Sequence, residues 1–239
     1  MNHVAKTILS PSATVSVKPL RTVTVIEKPD NLFERFAWIY IFCREKVFRD
    51  DTGRIIRAFW PAGEPPASSK VLELGCGPGF YARTLASRFR QISVLGVDSS
   101  KELVKYARAK AMALHNCAFE WGDVLNLPQP DNSFSQLVAS RLFTILPERE
   151  RAVAEIFRVL NSGGKCFVAE PRFAFSASIP LLTMQALARV NGYSREYREP
   201  IKATVLSYRH FCALFTTQPW SGMKTWRVGR YQYALCEKG

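Results

Sequence analysis

The chain has 239 residues, of which 47% are hydrophobic and 22% charged, and its formal net charge at pH 7 is +13. This length suits one domain with appendages, and no apolar run reaches the roughly 18 residues that a membrane-spanning helix needs. The six cysteines contain no Cys-x-x-Cys pair, which argues against a zinc site or a disulfide framework and favours a reducing compartment.

The first segment, residues 1–30, is polar, rich in hydroxyl side chains and poor in acids. Such a composition is typical of a flexible tail, and equally of an organelle transit peptide. We therefore expect a cytoplasmic protein, or one of an organelle stroma or matrix if the segment is a transit peptide. Residues 32–49 are helix-like and strongly aromatic, and prolines at 61, 65 and 66 break the chain after them.

Residues 71–81, VLELGCGPGFY, form an apolar strand that runs into three glycines at alternate positions and then opens a helix near Phe80. Gly75, Gly77 and Gly79 permit a tight turn and close approach to a ligand, while the helix start offers unpaired N–H groups. The dinucleotide fingerprint has its third glycine one residue later, so this loop favours another small ligand with an anionic group. The alternative is a plain glycine-rich turn.

Two residues of this stretch need separate comment. Glu73 is a carboxylate inside an apolar strand, and a buried carboxylate must find partners or become neutral. Cys76 lies between two glycines, where its small size is a sufficient explanation.

The next strand, at residues 92–97, ends at Asp98, about 20 residues beyond the glycine loop. An acidic side chain at this position binds ribose hydroxyls in nucleotide-type folds, although it can also cap the following helix. Ser99 and Glu102 match the Ser-x-x-Glu pattern of a capping box, so Ser99 is predicted to begin that helix. Two successive strand–helix units predict a parallel sheet.

Together these motifs resemble the class I S-adenosylmethionine-dependent methyltransferases, in the branch that includes quinone-biosynthesis enzymes. The pattern Glu73-x-Gly75-x-Gly77-x-Gly79 with Asp98 is similar to the family's first two motifs. Residues 120–124, 131–140 and 155–165 resemble the segments around its third, fourth and fifth strands. The resemblance covers about residues 67–171.

The resemblance implies an α/β fold, with a Rossmann-like doubly wound seven-stranded sheet that is mostly parallel and has an antiparallel C-terminal strand. It also implies a division into a flexible tail (1–30), an N-terminal helical lid (31–66) and a methyltransferase domain (67–239) with a substrate cap at about 172–206. The segment called a lid could instead be a helix packed on the sheet. A helix at 207–215 and strands at about 224–229 and 231–237 are expected to complete the domain.

The implied cofactor is S-adenosyl-L-methionine, which carries no phosphate, and the glycine loop contains no Lys or Arg. Its sulfonium suits an acidic, aromatic pocket. Asp123 is implied to accept from the adenine amine and the next N–H to reach the ring, although Asp123 could be an ordinary turn residue. The expected cofactor-binding residues are Glu73, Gly75, Cys76, Gly77, Gly79, Phe80, Asp98, Ser99, Asp123, Val124 and Ser140.

Methyl transfer needs mainly alignment of the acceptor, and a base only if the acceptor loses a proton. Glu170 is placed at the carboxyl end of the fifth strand, where a base could act. Arg141 and Arg172, near the ends of strands 4 and 5, could hold an acidic or enolic oxygen. His210 is a further candidate that has a structural alternative.

Residues 171–239 contain ten basic and three acidic residues, so the positive charge is concentrated in the last third. This favours an anionic partner, and the apolar cap favours a hydrophobic, ring-bearing small-molecule acceptor held near Arg172 or Arg198. The alternatives are peripheral contact with an anionic membrane, an RNA substrate, a non-catalytic cofactor-binding subunit, and an ordinary basic surface. Against RNA, Ala139-Ser140-Arg141-Leu142-Phe143 lacks the pattern of base-amine methylases.

Overall fold

The computed structural model describes residues 32–192 and 203–239. The expectations for the tail at 1–30 and for Arg198 lie outside these residues.

A seven-stranded sheet forms the centre of the molecule, with strand order β3-β2-β1-β4-β5-β7-β6. Strands β1 to β5 pair in parallel, and β7 runs antiparallel to both β5 and β6. The predicted sheet, with its antiparallel C-terminal strand, is confirmed. The strands are β1 (Lys70–Leu74), β2 (Ser93–Asp98), β3 (Cys117–Trp121), β4 (Phe134–Ser140), β5 (Leu160–Pro171), β6 (Trp220–Val228) and β7 (Tyr231–Lys238).

Helices flank the sheet and join its parallel strands. They are α1 (Leu32–Arg35), α2 (Ala37–Phe42), α3 (Thr52–Phe59), α4 (Phe80–Arg88), α5 (Lys101–Lys110), α6 (Arg149–Val159), α7 (Ala174–Val190) and α8 (Tyr208–Phe215), with a π-helical turn at Cys43–Val47 after α2. Parallel strands require such crossovers, and the helices cover both faces of the sheet.

The inner strands are apolar on both faces because each face meets a separate core. Leu72 and Leu74 of β1 face the cluster that contains α6 and α8. Val71 faces the cluster that contains α3, α4 and α5. From β1 the chain adds β2 and β3 on one side of the sheet and then β4 and β5 on the other, so the switch point lies between β1 and β4. Ligands bind at the carboxyl ends of the strands at such a switch point.

The capping of α5 differs by one residue from the prediction. Ser100, not Ser99, is the N-cap, and its hydroxyl accepts from the backbone N–H of Leu103 at 3.2 Å. The capping box is also wrong, because the N–H of Glu102 donates to the carboxylate of Glu34 instead. The register shifts because β2 extends through Asp98, whose side chain then holds the N–H of Ser100 at 2.9 Å.

The aromatic N-terminal segment is helical but broken, with α1 and α2 separated at Phe36 and followed by the π-helical turn. A third apolar cluster joins this segment to α7. It consists of Leu32, Phe36, Ile39 and Cys43 on one side and Leu181, Met184 and Ala188 on the other. The N-terminal helices thus pack beside the cap helix.

Candidate active site

The three glycines of the loop all have positive φ angles, of 62° at Gly75, 53° at Gly77 and 75° at Gly79. A Cβ atom at Gly77 would lie 2.8 Å from the ring of Tyr40, and one at Gly79 would lie 2.4 Å from the ring of Phe119. Any larger side chain is disfavoured by the backbone conformation and would overlap the neighbouring ring. Gly77 and Gly79 therefore serve close packing, while Gly75 borders a cavity.

Asp98 connects the glycine loop to α5. Its Oδ2 accepts from the N–H of Gly77 at 2.7 Å, and its Oδ1 accepts from the N–H of Ser100. The side chain is buried, and burial raises its pKa above the ordinary value, against the effect of these hydrogen bonds. Asp98 also lines the cavity. It therefore ties the glycine loop to the start of α5, and its position is also open to a ligand.

Glu73 finds its partner in the helix that follows the loop. Its Oε2 accepts from the N–H of Ala82, in the first turn of α4, at 2.7 Å. Burial raises the pKa of Glu73 to about 7. The side chain thus satisfies one of the free N–H groups at a helix start. It does not line the cavity, so a direct contact with a cofactor is not supported by its position.

The first cavity lies at the carboxyl ends of β1 to β4 and encloses about 110 Å³. It brings together six of the residues selected from the sequence, namely Gly75, Asp98, Ser99, Asp123, Val124 and Arg141. Its other walls come from the N-terminal helices, the loop after β4 and α7, including Phe33, Tyr40, Leu142, Thr144, Ala177 and Leu181. These parts are distant in sequence and meet only in the fold.

Asp123 occupies the turn after β3. Its Oδ1 accepts from the N–H of Leu125 at 2.9 Å, as an ordinary turn residue would. The residue is exposed and borders the first cavity, so its other carboxylate oxygen can meet a ligand.

Arg141 has an unusual backbone for a residue that is not glycine, with a φ of 60°. Its N–H donates to the carbonyl of Ala169 at 2.9 Å, which ties the end of β4 to β5. The guanidinium lies 3.8 Å from the ring centroid of Phe48 and donates to the Tyr231 hydroxyl at 3.3 Å. Left-handed backbone at such a residue is uncommon and is concentrated at functional sites.

The second cavity encloses about 470 Å³ and shares Arg141 and Pro180 with the first. Three arginines line it, Arg49, Arg141 and Arg230, together with apolar side chains that include Val47 and Ile179. Among the described residues, Arg49 pairs with Asp51, whereas no carboxylate lies within 4.0 Å of the other two guanidiniums. An anion with an apolar body fits these walls.

Glu170 is buried at the end of β5 and lines neither cavity. Its Oε1 accepts from the N–H of Phe143 at 2.9 Å, so it holds the loop after β4. Burial raises its pKa to about 7, and its Oε2 has no hydrogen-bond partner within the described part of the chain. The predicted role as a base is not supported, because the carboxyl group faces the loop instead of a cavity.

The remaining candidates also lie outside both cavities. Arg172 donates to the carbonyl of Gly229 at 2.9 Å, and the exposed ring of His210 lies 3.1 Å from the Ser207 hydroxyl at the start of α8. Phe80 stacks under the guanidinium of Arg44, 4.1 Å from its ring centroid. Cys76 is buried beside the loop, and Ser140 ends β4. None of these five side chains lines either cavity.

Sequence reasoning missed several cavity residues, above all Tyr40 and, after β4, Leu142, Thr144, Ile145 and Leu146. Burial raises the pKa of Tyr40 to about 12, so its hydroxyl keeps its proton at neutral pH. The aromatic content of the N-terminal helices was a signal for Tyr40. No pattern distinguished the loop after β4.

The sheet order and the glycine loop agree with a class I S-adenosylmethionine-dependent methyltransferase domain. Residues 71–164 match the family model described as "Methyltransferase domain". The chain thus contains a methyltransferase domain, and the resemblance seen in the motifs is confirmed, as is S-adenosylmethionine as the cofactor of this class.

Curated relatives match a little less than half of the chain. The chain is 38% identical over 118 residues to a trans-aconitate 2-methyltransferase of Deinococcus radiodurans, covering 49% of this chain and 44% of the relative. It is 34% identical over 102 residues to a demethylmenaquinone methyltransferase of the same organism, covering 42% of each chain. The chain therefore spans less than half the length of these two relatives.

Solved structures agree on the fold. One neighbour is phosphoethanolamine N-methyltransferase 2 of Haemonchus contortus in complex with S-adenosyl-L-methionine, with a TM-score of 0.66 and 12% identity. The match covers 87% of this chain and 59% of that one. At this identity the likeness concerns the fold.

Proposed function

We propose that the protein is an S-adenosylmethionine-dependent methyltransferase that methylates a small acceptor with an apolar body and an anionic group. One observation carries this proposal. The first cavity joins the cofactor motifs of β1 to β3 to the cap helix α7, and it meets the arginine-lined second cavity at Arg141 and Pro180. A donor and an acceptor held in the two cavities would lie side by side.

The residues of the first cavity fit the cofactor by their chemistry. Asp98 suits ribose hydroxyls and Asp123 suits the adenine amine, while Val124 and Leu142 offer apolar walls for a ring. The bound cofactor supplies an electrophilic methyl group on a sulfonium.

The cavity also indicates that the N-terminal helices move. Ligand pockets usually enclose about 300–1,000 Å³, more than the first cavity offers while Phe33 and Tyr40 form one of its walls. Polar contacts hold this wall in place, including the carboxylate of Glu34 on the N–H groups of Lys101 and Glu102 and the ion pair of Glu45 with Arg83. We infer that these helices open for the cofactor and close over it, which makes them a lid.

The acceptor would be positioned mainly by the second cavity. Arg141 can bind an anionic oxygen there, and apolar walls can take the body of the molecule. Alignment of a nucleophile with the methyl group supplies much of the acceleration in such a transfer. An acceptor that does not lose a proton needs no general base, so this role does not require the carboxylate of Glu170 to reach either cavity. The two relatives named above, a trans-aconitate and a demethylmenaquinone methyltransferase, support small organic acceptors.

The proposal is tested with labelled cofactor. Calorimetry should show micromolar binding of S-adenosylmethionine and S-adenosylhomocysteine and no binding of NAD. Methyl label should then enter small organic molecules of a cell extract, and identification of the product names the acceptor. Binding of NAD without response to S-adenosylhomocysteine would overturn the cofactor. Label found only in RNA would overturn the small acceptor.

A further inference from the structure

The cap helix α7 is apolar nearly all round. Among its 17 residues, Arg189 is the one charged residue. One side packs on the N-terminal helices through Leu181, Met184 and Ala188. The opposite side exposes Ile179, Leu182 and Val190, the last with 84% of its surface accessible. A helix that is hydrophobic all round is normally buried on every side, which this one is not.

The neighbouring N-terminal helices expose large apolar side chains as well. Trp38 is 64% exposed, Phe42 59% and Val47 63%. Val47 and Ile179 line the second cavity together, so the exposed sides of the two helical segments meet at its rim. We call this set the outer apolar face: Trp38, Phe42, Val47, Phe173, Ile179, Leu182 and Val190. Large apolar side chains exposed on two helical segments that pack on each other mark an interaction site.

The charged residues beside the outer apolar face are mainly basic, and the exposed Asp50, close to Val47 in the sequence, accepts from the N–H and the hydroxyl of Thr52. Lys46 is exposed next to Val47, Arg189 lies on α7, and Arg230 borders the second cavity. The acids of the N-terminal helices are directed elsewhere, Glu34 to the start of α5 and Glu45 to Arg83. Residues 171–192 contain no acid. An anionic surface is therefore the complementary partner.

We propose that the outer apolar face binds an anionic lipid surface, with α2 and α7 lying in the plane of the interface. Amphipathic helices bind membranes in this way, with aromatic side chains at headgroup depth and basic residues facing anionic headgroups. Among the described residues no helix is long and apolar enough to cross a membrane. The second cavity opens at the same face, so an amphiphilic acceptor can enter it directly from lipid.

This inference goes beyond the proposed methyl transfer and is tested without cofactor or acceptor. The full chain is mixed with vesicles of phosphatidylcholine alone and of phosphatidylcholine with phosphatidylglycerol, and bound protein is measured by flotation. We expect binding to the anionic vesicles only, weakened by salt. The double variant Trp38→Ser/Leu182→Ser should lose binding by roughly a hundredfold, about tenfold for each apolar side chain withdrawn from the lipid. Lys46→Glu/Arg189→Glu should lose it severalfold or more.

Matched controls separate this face from the rest of the surface. Met112→Ser/Met223→Ser removes two exposed apolar side chains elsewhere, and Lys224→Glu reverses an exposed charge on β6. These variants should bind as wild type does, and unchanged melting temperatures show that all variants fold. Absence of vesicle binding would overturn the proposal, as would equal losses in the controls. A wild-type dimer that Trp38→Ser/Leu182→Ser converts to monomers would assign the face to a second copy of the chain instead.

Discussion

The carboxylate of Asp98, at the end of β2, accepts a hydrogen bond of 2.7 Å from the backbone N–H of Gly77 in the glycine loop. The same carboxylate holds the N–H of Ser100 at the start of α5. We expect Asp98→Ala to lower both cofactor affinity and stability, since each buried N–H left without a partner costs about 1–3 kcal/mol. Calorimetry with S-adenosylhomocysteine and denaturant unfolding measure the two effects.

Asp98→Asn is the matched control, because its amide oxygen can retain one of the two backbone hydrogen bonds. It should keep more stability than Asp98→Ala while still weakening the cofactor. If both variants lose stability but bind the cofactor like wild type, Asp98 is a structural cap without a ligand role.

A Cβ atom at Gly79 would overlap the ring of Phe119, so replacing Gly79 by alanine is expected to lower the free energy of unfolding strongly. Gly79 and Gly163 have similar φ angles, of 75° and 73°, but a Cβ at Gly163 meets nothing within 4 Å. Gly163→Ala should cost about 1 kcal/mol of unfolding free energy from the backbone alone. Gly79→Ala should cost about 1–3 kcal/mol more, because Phe119 must move. Equal losses in denaturant unfolding would show that Phe119 yields freely.

Because burial raises the pKa of Glu170, we expect its contribution to the free energy of unfolding to fall as pH rises. Its pKa is about 7 in the fold against 4.5 ordinarily, so the unfolded chain releases the proton first. The wild type should therefore lose up to about 3 kcal/mol relative to Glu170→Gln between about pH 4.5 and somewhat above pH 7. Urea unfolding across this range measures the difference.

Glu155 provides the control of opposite sign. Hydrogen bonds from Arg158 hold the pKa of Glu155 below its ordinary value, so its contribution is present above about pH 4.5 and is lost as pH falls. Wild type should thus be more stable than Glu155→Gln at neutral pH. A Glu170→Gln variant whose relative stability does not change with pH would contradict the raised pKa.

The glycine loop and Asp98 were predictable because they depend on local rules, and the mostly parallel sheet was expected from the family resemblance. Buried strands are apolar runs, and a Gly-x-Gly-x-Gly turn between strand and helix has few other uses. The same rules missed the N-cap of α5 by one residue, since Ser99 and Ser100 are equally good caps in sequence. The carboxylate of Asp98 decides between them by holding the N–H of Ser100.

Side-chain direction was not predictable from position along a strand. Glu170 and Arg141 both lie at strand ends, as expected, yet Arg141 reaches both cavities and Glu170 turns to the N–H of Phe143. Tyr40 reaches the glycine loop only because α2 packs beside α7, a contact between segments about 140 residues apart. Periodicity carries no information on such contacts.

Arg141 is expected to determine acceptor binding. Its guanidinium borders both cavities and has no carboxylate within 4.0 Å among the described residues, whereas Arg172 lines neither cavity and donates to the carbonyl of Gly229. Arg141→Gln should reduce kcat/KM for an anionic acceptor by about ten- to a hundredfold, the value of a charged hydrogen bond of about 1.5–3 kcal/mol. Glutamine adopts the left-handed backbone with a strain comparable to that of arginine, so folding should be retained.

Binding of S-adenosylhomocysteine should change little, and Arg172→Gln should resemble wild type with a water-soluble acceptor. Steady-state kinetics of both variants, with calorimetry of the cofactor, distinguish the outcomes. Loss of turnover in Arg172→Gln but not in Arg141→Gln would move the acceptor site away from the second cavity.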